Sequence, residues 1–154
     1  MPIEVGARAP EFTLKDQHGQ EVSLADFRGG KNVLLVFYPA SFTGVCTHEL
    51  AELQAALPTL RTDRSELLAV SCDSMFTQRV FADQEGLEFP VLSDFWPHGA
   101  VASAYGVLDE AMGVARRGTF VIDREGVVRW QVVNQIREPR TLSDYQDVLS
   151  DIEA

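Results

Sequence analysis

A continuous apolar run at residues 33–38, VLLVFY, constrains the fold more than any other segment of this chain. A run of strand length without a polar position is typical of a central strand that is covered on both faces. Pro39 follows directly and ends it. Residues 67–72, LLAVSC, predict a second buried strand of the same kind. The chain therefore requires a layered fold in which a sheet lies between other elements.

The remaining segments alternate strand-like and helix-like patterns. Further strands are predicted at residues 12–14, 22–24, 89–92, 119–122 and 127–133, and helices at residues 47–60, 74–85 and 99–105, with a last helix capped by Ser143. Pro58 is expected to kink the first of these helices or to end it early. Strands that alternate with helices and then close with a hairpin predict an α/β fold, with a central mixed β-sheet and helices on both faces.

The length and the net charge of the chain limit the class of protein that it can form. A chain of 154 residues can bury a core without help from disulfides or metals, and no linker or repeat divides it, so we expect one domain, residues 1–154. It has no apolar run of bilayer length and no secretory signal, which predicts a cytoplasmic protein without a membrane partner. Its net charge of −10 disfavours a nucleic-acid partner, because such a partner requires a basic face.

Two cysteines and three histidines carry the strongest potential for metal or redox chemistry. Two cysteines are too few for a disulfide scaffold or a thiolate zinc site, and the histidines lack metal-ligand spacing, so we expect no metal and no cofactor. In a reducing compartment a cysteine is either a small buried hydrophobe or a reactive thiol. Cys46 and Cys72 must therefore be told apart by their surroundings.

Cys46 lies where a reactive thiol is expected. It follows the apolar strand and its turn, at the start of the next predicted helix, and ligands of open α/β sheets bind beyond the carboxyl ends of the strands. Unpaired N–H groups and the positive end of the helix dipole favour the thiolate there, which is the nucleophilic form. Thr43 can donate a hydrogen bond to that thiolate, and Glu49, one helical turn beyond, is placed to orient a cation near it.

Two other chemistries of Cys46 are disfavoured by its neighbours. Residues i and i+2 do not face each other on a helix, so His48 is poorly placed as the base of a cysteine hydrolase. The segment CTHE at residues 46–49 is also not a C-x-x-C redox motif, because its fourth position is glutamate. Thioredoxin-type disulfide exchange is disfavoured for that reason.

The spacing Pro39-x-x-x-Thr43-x-x-Cys46 resembles the active-site motif of the peroxiredoxins. Four further blocks resemble the same family in order and spacing: VGARAPEFTL at 5–14, VSCDS at 70–74, FPVLSD at 89–94 and RGTFVID at 117–123. The resemblance covers residues 5 to about 133. Residues 93–101, SDFWPHGAV, further resemble the alkyl hydroperoxide reductase E subgroup, a one-cysteine type.

The resemblance implies a thioredoxin-like fold and a role for each matching residue. Cys46 would be the peroxidatic cysteine, which is oxidised to sulfenic acid as the O–O bond of a peroxide breaks. Arg117 would hold the thiolate and polarise the peroxide, and Glu49 would orient Arg117. Thr43 would hydrogen-bond the peroxide oxygens, and Pro39 would shield the site from water. Arg117 and Thr43 would thus direct hydrogen bonds at peroxide oxygens whose negative charge grows in the transition state.

The assignment of the active-site arginine and the search for a resolving cysteine each involve a second candidate residue. Arg116 lies beside Arg117, and the spacing before Gly118 favours Arg117. A two-cysteine cycle requires a resolving thiol. In some members of the family that this chain resembles it lies five residues after the nucleophile, but that position is Ala51 here, and the C-terminal region has no cysteine. Cys72 ends an apolar strand and is interpreted as a buried structural thiol. We therefore expect a one-Cys cycle in which an external thiol or redoxin reduces the sulfenic acid.

The leading hypothesis is an enzyme that reduces hydrogen peroxide, organic hydroperoxides or peroxynitrite. A second hypothesis is a redox-sensing or chaperone-like binding protein that is switched by oxidation of Cys46. A cysteine hydrolase ranks last, because a well-placed base is lacking. By resemblance, subunits of this family commonly pair near the active site, so a homodimer is expected.

Overall fold

Seven strands form one mixed sheet at the centre of the fold in the computed structural model, which describes residues 2–135, 138, 140 and 146–150. The strands are β1 (Thr13–Lys15), β2 (Glu21–Ser23), β3 (Asn32–Phe37), β4 (Ser65–Ser71), β5 (Val91–Ser93), β8 (Arg117–Ile122) and β9 (Val128–Asn134), and β6 (Leu108–Asp109) pairs separately with β7 (Val114–Ala115). The helices are α1 (Gly44–Ala55), α2 (Leu57–Leu60), α3 (Met75–Glu85) and α4 (Ala100–Ala104).

The sheet has the order β2-β1-β5-β4-β3-β8-β9. Its centre is parallel, because β3 and β5 both run alongside β4 in the same direction. The flanking strands β1, β8 and β9 pair antiparallel. Every residue of β3 is buried, as the continuous apolar run predicts. The mixed α/β sheet is therefore confirmed.

Side chains of β3 alternate between two apolar clusters, one on each face of the sheet. Leu34 and Val36 face the cluster that contains residues of α1, α2 and α3. Leu35 and Phe37 face the other cluster, which contains Ala102 of α4 and the buried ring of Tyr105. Helices thus cover both faces, which is what a central strand with no polar position requires.

The first long helix begins earlier than the apolar periodicity predicts. It starts at Gly44, with Thr43 as its N-cap, rather than at residue 47. It also stops at Ala55, and Pro58 lies in the first turn of the separate helix α2. Proline lacks the N–H that would continue the ladder, so the expected interruption is confirmed.

Helix α3 follows its sequence signals closely. The Ser74 side chain accepts from the Thr77 N–H at the N-terminus, and Gly86 adopts the left-handed conformation (φ 67°) at the C-terminus. The short hairpin β6–β7 is not predicted, because strands of two residues carry no periodic pattern. Residues 146–150 are helical, whereas Ser143, the predicted cap of the last helix, lies outside the described residues. No helix in the described ranges is long and apolar enough to cross a membrane.

Candidate active site

Cys46 lies in the first turn of α1, directly after β3 and the connecting loop 38–43. It is the third helical residue after the Thr43 N-cap, so its backbone N–H belongs to the group that has no partner within the helix. Its side chain is 0% exposed and belongs to the apolar cluster that includes Leu50 and Phe81. The thiol is therefore held at the helix N-terminus and is shielded from bulk water.

Arg117, the first residue of β8, donates from Nη2 to the Cys46 Sγ at 3.2 Å. The guanidinium is only 2% exposed, whereas the neighbouring Arg116 is exposed. Gly118 allows this strand to approach the underlying layer, because a Cβ at that position would lie 2.8 Å from the Val107 Cγ1. A small residue after Arg117 thus permits β8 to bring the guanidinium to the sulfur.

Glu49 lies one helical turn beyond Cys46 and is also buried, at 5% exposure. Its Oε1 accepts from the Arg117 Nη1. Its Oε2 accepts from the backbone N–H of Arg140 at 2.6 Å and lies 3.6 Å from the Arg140 Nε. The Glu49 carboxylate therefore lies between two buried guanidinium groups. Its single negative charge balances only one of them, and the excess positive charge complements an anionic sulfur.

Arg140 is a residue of the site that the sequence interpretation does not identify. Its guanidinium donates from Nη1 to the Thr119 Oγ1 at 3.3 Å and from Nη2 to the Phe37 carbonyl oxygen. These contacts connect the segment after β9 to β3 and β8 behind the cysteine. The sequence contains only an indirect signal for Arg140. If the Glu49 carboxylate is buried, its two oxygens are best satisfied by more than one donor.

Thr43 and Pro39 border the cysteine within the connecting loop. Pro39 is buried at the end of β3, and Thr43 is exposed at the N-cap of α1. The Thr43 hydroxyl donates to the Ala40 carbonyl oxygen at 2.7 Å. Its one proton is thus used within the loop, and its lone pairs can accept from the O–H of a substrate.

Phe42 interrupts this loop with a strained backbone. It has φ 66°, in the left-handed region that non-glycine residues rarely adopt. Its ring is half exposed and packs edge-on against Phe81 of α3, with the ring centroids 5.1 Å apart. The strain lies between the end of β3 and the N-cap of the helix that carries Cys46.

Asp73 fixes the same loop from the end of β4, and the sequence interpretation does not identify it. Its Oδ2 accepts from the Ser41 N–H at 2.8 Å, from the Ser41 Oγ at 2.9 Å and from the Ser71 Oγ at 2.6 Å. The buried Tyr38 hydroxyl lies 2.9 Å from the Ser41 Oγ. Burial raises the pKa of Tyr38 above its ordinary value, so the phenol remains a neutral donor.

Cys72 lies in a different environment from Cys46. It is 6% exposed, and its pKa is raised to about 12, first by burial and then by the neighbouring charges of Asp94 and Asp73. A backbone hydrogen bond connects it to Ala115, a residue of the apolar cluster on the opposite face of the sheet from Cys46. At neutral pH this cysteine is a thiol rather than a thiolate.

His48 lies on the outer side of α1, away from the sulfur. It is exposed and its Nε2 lies 2.8 Å from the Glu52 Oε1, one turn further along the helix. The hydrolase arrangement therefore lacks its base at this histidine. Across the described part of the chain, no group of three or more histidine, cysteine or acidic side chains is arranged to hold a metal ion.

A buried cysteine in the first turn of a helix, with an arginine donating to its sulfur at the end of a mixed α/β sheet, defines the class of thiol-dependent peroxidases with a thioredoxin-like fold. The model of the AhpC/TSA family matches residues 5–131. The chain belongs to this peroxiredoxin family and is a thiol-dependent peroxidase. The family resemblance that the motifs indicate is confirmed.

Individual relatives narrow this placement. Alkyl hydroperoxide reductase E of Mycobacterium tuberculosis is 49% identical over 152 residues, which cover 99% of each chain. The reduced 2-Cys peroxiredoxin of Plasmodium vivax has a TM-score of 0.89 at 31% identity, covering 99% of this chain and 83% of that one. Peroxidoxin BcpB of Mycobacterium tuberculosis has a TM-score of 0.87 at 27% identity, covering 99% of each chain. The thioredoxin-like fold is thereby confirmed.

Proposed function

We propose that Cys46 is the peroxidatic nucleophile and that its substrates are hydrogen peroxide, organic hydroperoxides and peroxynitrite. The thiolate attacks the terminal oxygen of the hydroperoxide, and the S–O bond forms as the O–O bond breaks. The sulfur is oxidised to sulfenic acid. Hydrogen peroxide is reduced to water and an organic hydroperoxide to an alcohol after the leaving oxygen takes up a proton, whereas peroxynitrite is reduced to nitrite. A single observation carries the assignment: the Arg117 Nη2 lies 3.2 Å from the Cys46 Sγ.

The other site residues support this step through charge and shape. Arg117 stabilises negative charge as it moves from sulfur to the departing oxygen, and Glu49 holds the guanidinium in that direction through its other nitrogen. Thr43 accepts from the peroxide O–H at the mouth of the site. Pro39 closes the site against water. Such preorganised donors act without reorganisation at the moment of reaction.

The catalytic cycle is of the one-Cys type, in which the sulfenic acid is reduced by an external thiol or redoxin. The high pKa of Cys72, about 12, supports this proposal because a protonated thiol attacks sulfenic acid poorly. The contact of Cys72 with Ala115, on the other face of the sheet, supports it independently. A major intramolecular Cys46–Cys72 disulfide in peroxide-treated protein, detected by mass spectrometry, would overturn it.

The proposal extends to the domain organisation, the location and the oligomeric state of the enzyme. We expect residues 1–154 to act as one domain, since both apolar clusters share a single sheet. We expect a cytoplasmic location, which the two free cysteines support. We also expect a homodimer, which is supported by exposed aromatic side chains at Phe76, Phe95 and Trp96.

Stopped-flow fluorescence tests the proposed reaction. Trp130 packs against the cluster that contains Cys46, whereas Trp96 is 81% exposed, so oxidation should change mainly the Trp130 signal. Cys46→Ser should abolish rapid peroxide consumption, and the matched Cys72→Ser should leave it nearly intact. A second-order rate constant close to that of an ordinary free thiol would contradict the enzyme and favour the redox-sensing alternative.

A further inference from the structure

The turn between Ala40 and Thr43 determines where Thr43 presents its lone pairs. Under the proposed peroxidase function, on which this inference rests, Thr43 accepts from the O–H of the peroxide. The Thr43 hydroxyl donates to the Ala40 carbonyl oxygen at 2.7 Å, so its direction is fixed relative to Ala40. Only Ser41 and Phe42 lie between these two residues. Their conformation therefore determines whether Thr43 can meet a peroxide that is in line with the Cys46 sulfur.

This turn requires a restraint from outside to keep its shape. Phe42 has φ 66°, in the left-handed region, and carries a Cβ, so the backbone is strained at this residue. A residue keeps such a conformation only where the surrounding structure holds it there. The Phe42 ring is half exposed, and its contact with Phe81 restrains the side chain rather than the backbone. The backbone on the N-terminal side of Phe42 is restrained at Ser41.

Asp73 supplies this restraint from beyond the end of β4. Its Oδ2 accepts from the Ser41 N–H at 2.8 Å and from the Ser41 Oγ at 2.9 Å. Ser41 is buried, so water competes little for these charge-assisted bonds. The Asp73 carboxylate is itself held, because the Ser71 Oγ donates to the same oxygen at 2.6 Å and accepts from the Gln78 Nε2 at 2.9 Å. Asp73 is thus fixed to β4 and α3, and Ser41 is fixed to Asp73.

We infer that Asp73 is a positioning residue of the peroxide step, which acts through the strained turn to hold Thr43 against the substrate. Its side chain bonds to the turn and to β4, whereas the Cys46 sulfur receives its donor from Arg117. Loss of the Asp73 carboxylate therefore leaves the arginine donor in place and displaces the threonine. The reaction with peroxide depends on both groups, so it slows although Asp73 contacts neither the sulfur nor the substrate.

Asp73→Ala and Asp73→Asn together test this role. The alanine variant removes the acceptor of both Ser41 bonds, so the turn relaxes at Phe42. A displacement of about 1 Å in a group that meets the substrate slows a reaction about 10²-fold. We expect the second-order rate constant for hydrogen peroxide in stopped flow to fall about 10- to 100-fold. The asparagine variant keeps the shape of the side chain and an acceptor oxygen for the turn, and should restore the rate to within about threefold of the wild type.

A double-mutant cycle with Thr43→Val shows whether Asp73 acts through the threonine. Valine keeps the shape of the side chain but lacks the oxygen that meets the peroxide. Asp73→Ala should therefore slow the Thr43→Val protein less than about twofold, although it slows the wild type at least about tenfold. The Cys46→Ser protein gives the baseline for both measurements. A merely structural role of Asp73 would slow both backgrounds by the same factor, and that outcome would contradict the inference.

Ser93→Ala is the matched control, because the Ser93 hydroxyl donates to the backbone carbonyl of Asp73 at 2.7 Å and leaves its carboxylate untouched. This variant should react with peroxide at the wild-type rate. A wild-type rate in Asp73→Ala, or equal slowing by Ser93→Ala, would overturn the inference. If Asp73→Ala does not fold, Ser41→Ala, which loses one of the two bonds, should slow the reaction by a smaller factor with the same dependence on Thr43. Failure of the proposed function itself appears earlier, as slow oxidation of the wild-type protein.

Discussion

Glu49 shows how one buried carboxylate determines the behaviour of the whole site. It is 5% exposed and receives donors from Arg117 and Arg140. Taking these charges out of water is costly, and the arrangement is stable only while every member is present. The carboxylate also fixes the direction of the Arg117 guanidinium, which has its second nitrogen on the Cys46 sulfur.

Glu49→Gln should therefore lower both stability and reactivity. Removing one partner of a buried ion pair costs about 3–5 kcal/mol, and losing one oriented donor slows a reaction about 10²–10³-fold. We expect the free energy of unfolding in urea and the peroxide rate constant in stopped flow to fall within these ranges. The control is Glu52→Gln on the same helix, whose exposed partner is His48. It should change stability by less than about 0.5 kcal/mol, and equal losses in both variants would contradict the argument.

Cys72 gives the protein a predictable sensitivity to alkali. Its pKa in the folded state is about 12, raised from 9.0 first by burial. A group whose folded pKa is raised stabilises the fold fully below its unfolded value, and this contribution is lost as pH rises towards the folded value. The window for Cys72 is therefore pH 9 to 12. Below pH 9 the residue contributes no pH dependence.

Cys72→Ala should flatten the alkaline part of the stability curve. We expect the free energy of unfolding to fall less between pH 9 and 11 in the variant than in the wild type, in urea titrations at matched ionic strength. Buried Tyr38 and Tyr105, whose pKa values are also raised by burial, contribute equally to both proteins and cancel in the difference. Parallel curves for the two proteins would show that burial of the thiol has no energetic consequence.

The loop between β3 and α1 is the element in which local strain and function coincide. Most of its residues adopt ordinary conformations, but Phe42 has φ 66° immediately before the N-cap of α1. The left-handed region costs a residue with a Cβ about 1–2 kcal/mol, and glycine avoids this cost. Glycine also gives the unfolded chain more conformational entropy than alanine does, and this destabilises the fold by about 0.4–1 kcal/mol. That cost offsets part of the stability gained by removing the strain.

A pair of substitutions at Phe42 isolates this strain from the ring contact. Phe42→Gly and Phe42→Ala both remove the contact with Phe81. Because only alanine retains a Cβ, Phe42→Gly should be more stable than Phe42→Ala by about 0.5–1 kcal/mol. This order is the reverse of that in a helix or strand interior. Urea unfolding of the two variants measures the difference, and alanine as the more stable variant would argue against strain at this position.

At the scale of the whole molecule, the sequence predicts whatever depends on local pattern. The apolar run at residues 33–38 predicts the central strand, and Ser74 and Gly86 predict both ends of α3. The start of α1 is missed because Gly44 and Val45 carry no helical periodicity, and the helix begins where Thr43 ends the strained loop. Motif spacing is sufficient to select Cys46, Glu49 and Arg117 as candidates.

Contacts between distant segments could not be predicted in this way. Arg140 and Asp73 reach the site from the segment after β9 and from the end of β4, and neither lies at a spacing that relates it to Cys46. Both are polar residues that look like ordinary surface positions in the sequence. Only the burial of Glu49, and the position of the loop against β4, give them a role.

An exposed apolar surface beside α3 is the proposed contact of a homodimer. Phe76 and Val80 lie one turn apart on α3 and are 67% and 58% exposed, and Phe95 and Trp96 are 51% and 81% exposed. Phe76, Phe95 and Trp96 line the same groove, which has a volume of about 680 Å³. Phe42, from the active-site loop, packs on the same helix. Apolar side chains grouped in this way are typical of a protein interface, and we propose that the homodimer expected from the family resemblance forms here.

Trp96→Asp should convert the proposed homodimer to a monomer. Each chain carries a net charge of −10, so a carboxylate in the contact adds to an existing repulsion and replaces an aromatic side chain that is 81% exposed. Sedimentation should give twice 17.1 kDa for the wild type and 17.1 kDa for the variant. Val5→Asp is the matched control: Val5 is 59% exposed but lies beside the β8–β9 turn, next to Gly6, whose N–H donates to the Val128 carbonyl oxygen. A wild type that sediments as a monomer at micromolar concentration, or a control that dissociates equally, would place the dimer contact elsewhere or remove it.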